Sequence, residues 1–279
     1  MASGTVFPTR HRGAPWMRLV LALLLALGAL ATQFPAYASA KSIEVKNTND
    51  SGTGSLRQAI IDADPGDTIN FNLPGNGPWT INLAGTLPTI NKALTIQGPG
   101  YTKLTIQGDN TFRLLFINAT GEAVNVSGLT LRQGKASGSY GGNIRSVGGN
   151  LSLSNVALRD ATAGDDQGGA GAFLSNGTYS LSNIFVTGNT APGSAKHGTG
   201  AGLHISELYG DTSVKITSSV IADNVGTSLR GAGVMISRTS GVAGRLLSVA
   251  FDSSTSGGWP RMVGRAKALR PERAQPLRL

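Results

Sequence analysis

The chain has 279 residues, 39 of them glycine, with no cysteine, 14% charged and 6% aromatic residues. That composition suits short strands joined by tight turns, and it excludes thiolate metal sites and cysteine nucleophiles. The formal charge of +9 sits at the ends: residues 1–40 hold three arginines and no acid, 241–279 seven basic residues and two acids, and 41–240 fourteen basic against thirteen acidic residues, which argues against a nucleic-acid groove.

Arg10, Arg12 and Arg18 precede the apolar run Leu19 to Ala31, and Ala38-Ser39-Ala40 follows as a small-x-small site. This order of basic, apolar and cleavage regions predicts a secretory signal over 1–40. The run is shorter than the ~20 apolar residues that span a bilayer, so no integral membrane segment is expected after cleavage. An exported chain without disulfides must be held by its core and its backbone ladders.

Ser42-Ile-Glu-Val45 alternates and reads as a first strand. After the polar turn Asn47 to Gly54, a short helix is expected over about 55–63, capped by Ser55 or Thr53 and stopped by Pro65-Gly66. Leu56, Ala59, Ile60 and Ala63 share one face of it. So short a helix needs a surface to lie on, and the exposed first rung of a solenoid supplies one. Strands are then predicted at Asp67–Phe71, Trp79–Leu83, Leu87–Ile90, Leu94–Gly98 and Leu104–Gly108.

From there the chain repeats itself. Val124-Asn-Val-Ser-Gly-Leu-Thr-Leu131 returns as Leu151 to Leu158, Tyr179 to Val186 and Val214 to Ile221. Between the copies a second phrase recurs: Gly169-Ala-Gly-Ala-Phe-Leu-Ser175, Gly200-Ala-Gly-Leu-His-Ile-Ser206 and Gly231-Ala-Gly-Val-Met-Ile-Ser237. Aligned, the first phrase gives apolar columns Val126, Leu153, Leu181, Ile216 and Leu131, Leu158, Val186, Ile221. It also gives a polar column Ser127, Ser154, Ser182, Thr217 and a bend column Gly128, Asn155, Asn183, Ser218. The column intervals of 27, 28 and 35 residues keep their phase while loops change length. This is the pattern of coiled strands stacked about 4.8 Å apart in parallel ladders.

These residues resemble secreted bacterial right-handed parallel β-helix proteins. The likeness is to the surface group whose first domain opens on a helix of the type Cys-Ser-Leu-Arg-Glu-Ala-Ile. Here the segment reads Gly54-Ser-Leu-Arg-Gln-Ala-Ile60, followed by Pro65-Gly-Asp-Thr-Ile69 and Leu94-Thr-Ile-Gln-Gly-Pro-Gly100. The resemblance covers 42–238 and implies an all-β, right-handed, single-stranded parallel β-helix of pectin-lyase-like fold with a helical cap. It also implies a secreted or cell-surface location and partners among polysaccharides, cell wall or surface proteins. Many proteins of this kind look adhesin-like or carbohydrate-contacting.

One constellation suits catalysis. Asp165 and Asp166 precede Gly169-Ala-Gly171, and His197 precedes Gly200-Ala-Gly202 one 31-residue interval later. If that interval is one turn, Asp166 and His197 share a column, and paired carboxylates beside a histidine suit acid–base attack on a glycosidic bond. The pectin-hydrolysing β-helix family offers an analogy in its Asp-Asp and Gly-His-Gly motifs, but Lys196 here replaces the glycine before His197, and the Asn-x-Asp and Arg-x-Lys elements are missing. The other reading is a solvated loop pair. A lyase would need Ca²⁺ held by acids such as Asp160, Asp165 and Asp166 with Arg132 or Arg159 as base, yet no acid recurs in a fixed column. No cofactor is otherwise expected. His204 lies between Leu203 and Ile205 and is expected to face outward and be exposed. Trp79 and Tyr140 are candidates for stacking on sugars, with core or cap packing the favoured reading for Trp79.

The rung after Gly231 is followed by only a loose match, Leu246 to Phe251, and then by an Arg/Pro/Ala-rich stretch. The domain therefore reads as 41–240, with 241–279 a degenerate last rung and a basic tail expected to be disordered. That tail is either a frameshift or truncation product or a segment that binds an acidic surface. The functional expectation is a non-catalytic exported module, with a polysaccharide hydrolase or lyase as alternative. A third reading is a structural protein that self-associates through its uncapped C-terminal end.

Overall fold

A computed structural model of the chain describes residues 39–164, 168–192, 200–226, 232–237 and 247–252. They form an all-β solenoid of about 6 turns, built from parallel sheets, with one helix. The spine of the long, eleven-stranded sheet runs Ser42–Val45, Thr68–Phe71, Leu94–Gln97, Ala123–Arg132, Asn150–Arg159, Gly177–Thr187, Thr212–Thr217 and Leu247–Asp252. A second sheet stacks Leu115–Ile117, Ile144–Val147, Ala172–Ser175, Leu203–Ser206 and Val234–Ser237. A short ladder pairs Thr190–Ala191 with Val225–Gly226, in line with isolated bridges joining Lys135, Thr162 and Thr190.

The register is the one the repeats dictate. Val126 pairs with Leu153, Leu153 with Leu181 and Leu181 with Ile216, all buried. Leu131, Leu158, Val186 and Ile221 pair in the same way. The bend column turns the backbone out of the strand: Gly128, Asn155, Asn183 and Ser218 all have φ between 49° and 63°. Glycine and asparagine tolerate that left-handed conformation best. The Asn183 amide donates to Asn155 Oδ1 at 3.3 Å, which joins two turns along the bend.

A second asparagine ladder lies inside. Asn143 and Asn189 are fully buried, and their amides serve the carbonyls of Leu131, Arg159 and Leu158 where strands end. Asn189 also donates to Asn224 Oδ1 at 2.8 Å. Buried carbonyls at a corner need such partners because water cannot reach them.

The helix Leu56–Asp62 caps the first rungs, as its apolar stripe requires: Leu56, Ala59 and Ile60 are buried in the same core as Val45 and Ile69. Ser55 is the cap, its Oγ accepting from the Gln58 amide at 3.2 Å. Arg57 ties the helix to two turns, donating to the Asp50 carboxylate at 2.6 Å and to the carbonyls of Gly85 and Thr86. Burial works against the Asp50 charge, but the hydrogen bonds from Arg57 and the Ala84 amide outweigh it and hold its pKa below the ordinary value.

Two expectations change. The strand at Leu87–Ile90 reduces to one bridge, Ile90 with Ile117, because Pro88 has no N–H to give to a ladder. The loose match after Gly231 is a strand in full register: Leu247–Asp252 pairs with Thr212–Thr217, setting Val249 on Val214 and Phe251 on Ile216. Among the described residues, no helix is long and apolar enough to cross a membrane.

Candidate functional site

Asp165, Asp166 and His197 lie outside the described residues, as do residues 1–38 of the secretory signal expected over 1–40. Asp160 is described, and its carboxylate receives Arg132 Nε at 2.7 Å on the surface. Among the described residues, no three His, Cys, Asp or Glu side chains come together as a metal site. Trp79 is half-buried against the core and donates its indole N–H to the Pro74 carbonyl at 2.7 Å. That is the packing role the sequence favoured for it.

A shallow groove of about 460 Å³ opens where the second sheet hands over to the long sheet. Its cause is steric. The turns stack so closely that a Cβ on Gly149 would sit 2.2 Å from the Ala119 carbonyl oxygen, and one on Gly177 2.2 Å from that of Gly149. Side chains are thus excluded from the floor. The rim keeps the amides and hydroxyls of Thr120, Asn150, Asn176, Thr178 and Ser213. Thr178, Asn150 and Ser213 are neighbours in the ladder, one per turn. The result is a row of donors and acceptors repeated at the rung spacing, with the carboxylate residue Asp211 beside it.

The outward face of the second sheet is different. Strand register stacks Phe116, Arg145, Phe173, His204 and Met235 in one column. Tyr140 lies over Phe173 with ring centroids 4.4 Å apart, and Tyr209 meets the edge of Phe173 at 6.4 Å. Arg145 stands 5.3 Å from the Phe116 centroid and 5.7 Å from that of Tyr209, to whose hydroxyl it donates at 3.2 Å. The Arg113 guanidinium also lies over the Phe116 ring, 5.8 Å from its centroid. Its guanidinium is fixed by the carbonyls of Gly141 and Tyr140 and by Ser139 Oγ. Burial, with the charge of Arg145 added, lowers the Arg113 pKa to about 10. Burial also raises that of Tyr140, with Tyr209 adding to it and Arg145 opposing.

His204 corrects the sequence reading. Alternation does point it away from Leu203 and Ile205, but it is only 5% exposed. Phe173 and Tyr140 meet it edge-on at 5.2 and 5.3 Å, and Gly168 approaches so closely that a Cβ there would lie 2.8 Å from Nδ1. Nε2 contacts Ser237 Oγ at 2.8 Å, while Nδ1 is buried without a partner. Burial lowers the His204 pKa to about 4. A serine–histidine contact is the start of a nucleophile–base pair. This imidazole is too weak a base near neutrality and too enclosed to meet a polymer, so its part is structural.

Of this cluster the sequence marked Tyr140 and His204; Arg113, Phe116, Arg145 and Tyr209 were missed. The recurring phrase that carries Phe173 and His204 is recognisable only from Gly169 onward. Carried back by one and two turns, its column falls on Arg145 and Phe116.

No family model and no curated protein matches the chain. Among solved structures it is similar to the ORF18 protein of Geobacillus virus E2, at 12% identity and a TM-score of 0.43, over 79% of this chain and 43% of that one. It is also similar to the PL6 family alginate lyase AlyGC, at 13% identity and a TM-score of 0.35, over 77% of this chain and 40% of that one. The chain thus spans less than half the length of either.

Proposed function

We propose that this protein is an exported β-helix module of the cell surface or extracellular space that contacts glycan without cleaving it. The observation that carries the reading is the groove: amides and hydroxyls, one set per turn, with Asp211 among them, over a floor that close stacking keeps free of side chains. Sugar hydroxyls want both donors and acceptors, and a repeated rung offers them at a fixed interval to a polymer with its own repeat. The leader-like segment over 1–40 supplies the route out of the cell.

The test is a panel of labelled polysaccharides presented to the protein lacking residues 1–40, with Thr178→Trp as the probe. Thr178 is exposed, and its backbone is held in a ladder on both sides, so a large ring there fills the groove without disturbing the strand. Retention of at least one glycan, lost roughly tenfold or more in the variant at unchanged melting temperature, supports the reading. If no glycan is retained, it falls. Release of reducing or unsaturated ends that Asp166→Asn abolishes would replace it with the polysaccharide-degrading reading built on Asp165, Asp166 and His197.

A further inference from the structure

Asp67 is a carboxylate that is only 1% exposed, and it belongs to none of the described ion pairs, Lys41–Asp64, Lys46–Glu44, Arg57–Asp50 and Arg132–Asp160. Two backbone amides serve it instead. Oδ1 accepts the Lys41 N–H at 2.7 Å, and Oδ2 accepts the Asp64 N–H at 2.8 Å, which closes the turn over Pro65-Gly66. The Lys41 amide, then the Asp64 amide and the more distant charges of Lys41 and Lys92, hold its pKa below the ordinary value against the effect of burial. Both of those cations are engaged elsewhere: Lys41 Nζ on the Asp64 carboxylate at 2.5 Å, and Lys92 Nζ on the Ala63 carbonyl. A buried charge met only by neutral donors costs free energy that a cation at the same place offsets.

The Lys41 nitrogen is the atom that can become that cation. Ala38-Ser39-Ala40 is the small-x-small site, so cleavage there breaks the Ala40–Lys41 bond. Ser39 and Ala40 are exposed and outside any strand. From Lys41 onward the backbone is fixed: its carbonyl accepts the Thr68 amide at 2.9 Å, and Ser42 pairs with Thr68 in the first ladder. Hydrolysis adds water across the bond and leaves a carboxylate on Ala40 and an ammonium on Lys41. The new charge stands on the atom that already touches Asp67.

We infer that Asp67 is the receptor for the α-ammonium of Lys41, so that removal of the leader at Ala40–Lys41 completes an internal ion pair and locks the first rung. This rests on the export part of the reading above and adds to it a processing site with a structural consequence. Ser42–Val45 ends the long sheet, paired on one side by Thr68–Phe71, and a charge-assisted bond at its entry holds that edge. The fold therefore tightens only once the leader is gone. An α-amine titrates near about 8 in a free chain, and pairing raises that value in the folded one. The added stability is full below about pH 8 and is lost as pH rises through the raised value.

The test begins with the full chain expressed in a secreting bacterial host, the exported protein being read by N-terminal sequencing and intact mass. The expected first residue is Lys41. Another N-terminus overturns the inference and leaves export standing; a retained leader overturns both. The pair is then tested against a form with one threonine inserted between Ala40 and Lys41, which keeps the Lys41 N–H but moves the ammonium one residue away. The insertion should lower the melting temperature by roughly 3 °C or more at neutral pH, with the two forms converging at alkaline pH. Acylation of the Lys41 α-amine at neutral pH should be roughly tenfold slower than in the free peptide Lys-Ser-Ile-Glu, and Asp67→Asn should restore the peptide's rate. The rate in the unmutated protein decides by itself if either altered form fails to fold or to be processed. Coincident melting at neutral pH, or an α-amine as reactive as the peptide's, overturns the inference.

Discussion

Before its bend, the long sheet turns Asn125, Ser152, Ser180 and Lys215 outward in one column, and these are exposed or half-buried. The second sheet turns Phe116, Arg145, Phe173, His204 and Met235 outward in one column, and there Phe173 is fully buried and His204 nearly so. Both columns obey the same two-residue alternation. What differs is the connection lying over each: Tyr140, Gly168 and Tyr209 come down on the second sheet and make a small outer core there. Alternation therefore decides direction, and the loops decide solvent.

The largest effect that could break this comparison is at Phe173. If the outer core is real, Phe173→Ala destabilises by about 3–5 kcal/mol, as for any large buried ring. Ser180→Ala, at an outward position on the long sheet, stays within about 0.5 kcal/mol. Urea unfolding of both variants measures the difference directly. Equal small effects would mean that the ring has no enclosed environment.

The second effect is on pH. His204 has an ordinary value of 6.5 and a folded value of about 4, lowered by burial. Between those values the unfolded chain binds the proton and the folded one does not, so stability rises with pH. The contribution is complete above 6.5, is lost as pH falls through that window and levels off below about 4. At about 1.4 kcal/mol per unit, the whole window is worth roughly 3 kcal/mol. Asp50 and Asp67, whose carboxylate pKa values are held low, add a further acid sensitivity of their own. Comparing wild type with His204→Leu between pH 7 and pH 4 isolates the histidine: the variant should lose about 3 kcal/mol less. Parallel curves would show an imidazole that protonates in place.

These two residues also mark where sequence reading stops. The repeat columns named the register of the long sheet position by position, because each phrase has an invariant length from its first apolar residue to its bend. The helix and its Ser55 cap were legible for the same reason: all their determinants are local. Arg57 was not legible as a clamp, since Asp50, Gly85 and Thr86 reach it only through folding. Nor was the burial of His204, which depends on Tyr140 and Gly168 from other turns. The groove escaped as well, because it is made by glycines whose side chains are missing rather than by residues that announce chemistry.

The smallest effect sharpens the comparison on the long-sheet side, where no loop core contributes and backbone conformation has to. Asn183 holds φ at 52°, and its amide reaches Asn155 at 3.3 Å. Alanine there loses the amide contact and must also adopt a left-handed backbone, at about 1–2 kcal/mol. Glycine loses the contact but adopts the conformation freely, so Asn183→Gly should cost less than Asn183→Ala by about 1 kcal/mol. Ordinary packing would give the opposite order, because alanine keeps more of the side chain. The sign of the Gly–Ala difference in urea unfolding therefore tells whether the exposed edge of this solenoid is set by the backbone angle at its bend or by contacts around it.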